Sequence, residues 1–111
     1  MELIVLETGY ELCGGPEGHE AVSEVFLDAA ADDIQSIERF YESKDTENYV
    51  IQVHGLKNAS RVIGGTVLGD MAYELELAGK AGNWALIEEK NAALLDTYRD
   101  TIAELKRKLG K

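Results

Sequence analysis

The sequence predicts an all-α fold, an antiparallel up-down four-helix bundle occupying one domain over residues 1–111. Three observations predict it. Apolar residues recur at helical spacing, and no segment alternates long enough to read as a strand. The breakers divide the chain into four long segments with short connections, which suits helices folded back on one another. Short connections also favour a bundle within one chain over a coiled coil.

Residues before Pro16 leave room for a short extra helical turn packed across one end of the bundle. Pro16, the single proline, stands where a helix tolerates it best, at the start. The first long helix is expected from about Glu17 to Glu42, with Val22, Phe26, Ala29, Ile37 and Phe40 facing inward. "SKD" interrupts it, and Ser43 or Asp45 can cap the next helix. That second helix is expected from about Thr46 to Gly64, with Tyr49, Val53, Leu56, Ser60 and Ile63 as its buried seam. The third covers about Thr66 to Ala78, with Leu68, Met71 and Leu75 inward. "GKAGN" ends it: Gly79 suits the left-handed position after a helix, and Asn83 can cap the fourth. This last helix runs from about Trp84 to Leu109, carrying Ile87, Leu94, Tyr98, Ile102 and Leu105.

Composition excludes several classes. Twenty-one acids against 11 bases give a formal charge of −10, which repels nucleic-acid backbones. The basic "KRKLGK" at the C-terminus is explained by the dipole of the last helix. No apolar run is long enough to span a membrane, and "MELIVLETGYELCGG" lacks the basic start of a secretory signal. Cys13 is the only cysteine, so the chain forms no internal disulfide and a cytoplasmic setting is expected.

The stretch "VHGLKNASRVIGG" carries the chemistry. With Val53 at the centre of the buried seam, His54 lies about 100° round the helix, toward solvent. Lys57 is one turn on and can reach the imidazole. An exposed imidazole is a nucleophile near neutral pH. A phosphoryl group on it would bring roughly two negative charges, which a lysine can balance. Taken alone, the pair is more simply a surface histidine beside a surface lysine. Gly64 and Gly65 would each cost about 1 kcal/mol inside a helix, so they call for a close crossing or a break. His19 belongs to no "HExxH" zinc pattern, since Ser23 stands where the second histidine would be, and is expected at the surface.

"HGLKNASRVIGG" resembles the phospho-acceptor motif of histidine-containing phosphotransfer (HPt) domains. The pattern is a histidine, any residue, an apolar residue, lysine, small residues, and a glycine ten positions past the histidine. These are His54, Leu56, Lys57, Ala59, Ser60 and Gly64. "GYELCGGPEGHEAVSEVF" is similar to the family's opening segment, and "LELAGKAGNWALIEE" to its third-to-fourth helix junction. The resemblance extends from about Leu6 to Leu105. Asn58 departs from it, because glycine or serine often follows the lysine.

The resemblance implies a phosphorelay intermediate of two-component signalling. His54 would accept a phosphoryl group from a receiver-domain aspartate and pass it to another. Lys57 would balance its charge, and Glu76 would hold the imidazole through Nδ1. A plainly solvated Glu76 paired with Lys80 is the alternative. Val50, Ile51, Gly55, Asn58 and Arg61 are expected to form the docking surface. The partners would be response-regulator receiver domains, including those of hybrid sensor kinases. The chain would be a monomeric carrier rather than an enzyme, with no cofactor or metal of its own and Mg²⁺ supplied by the receiver. A helical adaptor that binds partners on the same face without phosphoryl transfer is the competing function.

Overall fold

The computed structural model describes residues 2–111, which form five helices in the order α1 (Leu6–Cys13), α2 (Pro16–Glu42), α3 (Thr46–Val62), α4 (Thr66–Lys80) and α5 (Trp84–Lys108). Helices α2 to α5 close an up-down bundle in which α2 packs on α3, α3 on α4, α4 on α5 and α5 back on α2. The long dimension, 39 Å, is that of one straight helix of the length of α2, at about 1.5 Å per residue.

The expected caps do form. Pro16 opens α2. The Asp45 carboxylate accepts from the Asn48 N–H at 3.3 Å, and the Asn83 side chain accepts from the Leu86 N–H at 3.2 Å. Inside, Phe26, Ile37, Tyr49, Val53, Leu56, Leu68, Leu75, Ile87, Leu94, Tyr98 and Leu105 make one continuous core. The buried Tyr49 hydroxyl is satisfied, since it donates to Asn91 Oδ1 at 2.7 Å, whereas the buried Ser23 hydroxyl has no hydrogen-bond partner among the described residues.

The extra N-terminal helical turn does form, as the eight-residue helix α1. It is anchored where Glu104 accepts from the Leu3 and Ile4 N–H groups at 2.8 and 2.6 Å, and Ile4 is fully buried. Several expectations are corrected. Val22 and Ala29 are exposed, because the inward stripe of α2 runs through His19, Ser23, Phe26, Ala30 and Ile37 instead. His19 is therefore buried. Its Nε2 donates to the Ile63 carbonyl at 3.0 Å, and Tyr10 packs edge-on against its ring. Helix α3 stops at Val62, before the glycine pair, while α4 continues to Lys80. Gly79 thus lies within α4, where an added Cβ would meet Val50 Cγ2, and Gly82 takes the left-handed turn.

Helices α3 and α4 make the most extensive contact in the bundle. Gly69, Ala72 and Gly79 are buried along one stripe of α4 at helical spacing, which lets the two backbones approach closely. The break between them is fixed at Gly64. Its φ is 87°, its carbonyl accepts from the Val5 N–H at 2.9 Å, and a Cβ there would run into the Val5 carbonyl. Gly64→Ala is expected to cost roughly 2 kcal/mol or more, from the left-handed backbone and the collision. Urea unfolding should show this as a lower midpoint at unchanged slope; an unchanged midpoint would contradict this account of the junction.

Candidate functional site

Helix α3 turns Val53, Leu56 and Ser60 into the core, and His54 consequently faces out with about half of its side chain exposed (52%). Glu76 sits opposite, on the same stripe of α4 as Gly69, Ala72 and Gly79. As the one long side chain of that stripe it is wedged into the α3–α4 seam, with 2% of it exposed. Its Oε2 lies 3.1 Å from His54 Nδ1. Lys57 Nζ stands 2.9 Å from Oε1, and Lys80 Nζ stands 2.9 Å from Oε2. The Oε1 contact is a close ion pair between the Lys57 ammonium and the buried carboxylate.

These contacts decide the proton positions. Burial pushes the Glu76 carboxyl up. The nearby donors Lys57, Lys80 and His54, together with the Lys57 charge, outweigh it and hold the group down at about 2. Glu76 is therefore an ionised acceptor at neutral pH, and the hydrogen on the imidazole is placed at Nδ1. Nε2 is left with its lone pair directed outward. Lys57 Nζ is also 3.4 Å from Nδ1, but two donors do not bond each other; both converge on the same carboxylate.

The remaining expected site residues divide. Gly55 opens onto free space, since an added Cβ would meet nothing within 4 Å. Ile51 is exposed on the same helix. Asn58 Nδ2 reaches His54 Nε2 at 3.2 Å. Val50 is half-buried against Gly79 and serves the α3–α4 contact. Arg61 lies over Gly69, pairs with Asp70 at 3.2 Å and, with Lys57, covers the Tyr73 ring.

Sequence reasoning missed the other side of the imidazole. An apolar groove of about 300 Å³ runs between α2 and α3, lined by Val22, Val25, Phe26, Ala29, Asp33, Asn58, Ala59 and Val62. The available signal was an excess of apolar residues on α2: Val22, Val25 and Ala29 exceed what one inward stripe can use. Among the described residues, no group of three or more His, Cys, Asp or Glu side chains is arranged to hold a metal, and no helix is long and apolar enough to cross a membrane.

A family model, the Hpt domain, matches residues 21–108, which include His54, Lys57 and Glu76. The chain belongs to the Hpt family. Hpt domains are phosphocarrier modules of two-component phosphorelays that interact with receiver domains, and they are not enzymes in their own right. No curated protein and no solved structure matches the chain significantly.

The lowered Glu76 carboxyl also makes a statement about stability. Because the folded value lies below the ordinary 4.5, the contribution is fully present above about pH 4.5 and is lost as pH falls through about 2. With allowance for the exposure of Lys80 and His54, it is on the order of 2 kcal/mol. Glu76→Gln should be less stable than wild type by about that amount at pH 6 in urea unfolding. The gap should narrow steadily below pH 4.5. A gap independent of pH would show that the carboxylate charge is not what the lysines hold.

Proposed function

We propose that His54 is the phospho-acceptor of this Hpt domain and that it relays phosphoryl groups between receiver-domain aspartates. One observation carries the reading: an exposed imidazole whose Nδ1 is tied to a buried carboxylate, leaving the lone pair on Nε2 as the nucleophile. The Nε2 lone pair attacks phosphorus of the receiver's aspartyl phosphate. As the N–P bond forms, the P–O bond breaks and its electron pair leaves with the aspartate carboxylate. The hydrogen stays on Nδ1, and Glu76 stabilises the positive ring that results. Transfer to a second receiver reverses these steps.

Charge supports the same reading. Glu76, Lys57 and Lys80 together leave one surplus positive charge beside the imidazole, in a chain of net charge −10. Lys57 has a flexible stem and can follow the two negative charges that a phosphoryl group brings. Lys80 then remains on Glu76, so the buried carboxylate is not left unpaired.

The receiver docks over the exposed face of α3, where Gly55 gives clearance, Ile51 is exposed, and the apolar groove adjoins at Asn58. Its own acidic site supplies the Mg²⁺ and the catalytic groups, so the domain is a carrier that depends on its partners. We read it as a monomer acting in the cytoplasm.

The test is phosphoryl uptake from a phosphorylated receiver. Wild type should acquire acid-labile, base-stable label, and His54→Gln should acquire none while unfolding at a similar urea concentration. Label on His54→Gln equal to wild type would overturn the assignment.

A further inference from the structure

The nucleophile proposed above is not bare. In the neutral ring Nδ1 carries the hydrogen, because Glu76 is an acceptor, and Nε2 is then the nitrogen that accepts. The group beside it is the amide of Asn58, one turn further along α3, with Nδ2 at 3.2 Å. An NH₂ group pointed at a lone pair is the one orientation of that amide that attracts; its oxygen would repel. The pair is exposed, and among the described residues the Asn58 side chain makes no other hydrogen bond. Asn58 also forms part of the wall of the α2–α3 groove, together with Val22, Val25 and Val62. One side chain therefore touches both the reacting nitrogen and the surface beside it.

We propose that Asn58 is a latch on the nucleophile: its amide occupies the Nε2 lone pair at rest and must swing away before phosphorus can be attacked. The inference rests on His54 Nε2 being the phospho-acceptor. Electron counting requires it, because the pair of electrons that accepts the Asn58 hydrogen is the pair that must form the N–P bond. The latch suppresses reaction with small phosphoryl donors, which make no contact with the groove. A partner seated in the groove presses on Asn58 itself and can turn it out of the way. Glu76 and Asn58 thus divide the ring between them, one fixing the proton and the other guarding the lone pair.

The test separates the latch from the relay by using phosphoramidate, a small donor that needs no receiver. Nε2 attacks its phosphorus, and the P–N bonding pair leaves with ammonia. Phosphohistidine formation is followed by phosphorus NMR in wild type, Asn58→Ala and Asn58→Leu. Alanine removes the donor and suits a helix; leucine removes the donor at similar bulk. Both variants should react about fivefold faster than wild type, the effect of freeing one exposed hydrogen bond. In nitrogen NMR of the unphosphorylated ring, Nε2 should shift in both variants while Nδ1 stays in place. Rates equal to wild type in Asn58→Ala would overturn the latch. A slow Asn58→Leu beside a fast Asn58→Ala would also overturn it, since bulk rather than the hydrogen bond would then be the shield. If wild type is labelled by phosphoramidate but not by phosphorylated receivers, the relay reading fails and the latch still stands.

Discussion

A buried carboxylate beneath an exposed imidazole is the interaction on which the rest of the structure depends. Burying a charge is costly unless it is paired. Glu76 is tolerated in the α3–α4 seam because Lys57 and Lys80 supply charge and His54 supplies a hydrogen bond. Those partners come from two helices, so the seam must be close and its register fixed. Gly69, Ala72 and Gly79 allow the approach, and the left-handed Gly64 sets the turn that joins the two helices. Helix packing and proton placement are therefore one problem with one solution. A shift of α4 along α3 would strand the carboxylate and release the ring together.

The chemistry that this supports is largely positional. The chain brings a lone pair of defined direction, a proton held out of the way, and cations that can follow the incoming charge. Gly55 leaves clearance beside the imidazole, and an apolar groove adjoins it at Asn58. That chemistry suits the Hpt family, whose domains are phosphocarrier modules rather than enzymes.

Much of this was legible in the sequence, and the physical reasons are specific. The seam of α3 was readable because Tyr49, Val53, Leu56, Ser60 and Ile63 have one clear helical phase, and all five are buried. Phase also turned His54 outward and put Lys57 in reach. Helix α2 read less well: its apolar residues serve both a core stripe and a groove, and the pattern does not say which is which. The pattern therefore points Val22 and Ala29 inward and His19 outward, although His19 fills the space left by Gly9 beneath α1. Gly79 reads as a helix end, but its missing side chain serves a crossing inside the helix. Glu76 keeps the Lys80 pairing of the solvated alternative but is not solvated, with 2% of it exposed. It is buried against His54. No spacing rule distinguishes those outcomes, because they depend on how closely a second helix approaches.

The central claim is that Glu76 assigns the proton to Nδ1 and the reaction to Nε2. It is tested most directly by determining which ring nitrogen of His54 carries phosphorus after transfer from a phosphorylated receiver, using nitrogen–phosphorus coupling in NMR. The account predicts phosphorus on Nε2, with the hydrogen retained on Nδ1. Phosphorus on Nδ1, or on a residue other than His54, would contradict it.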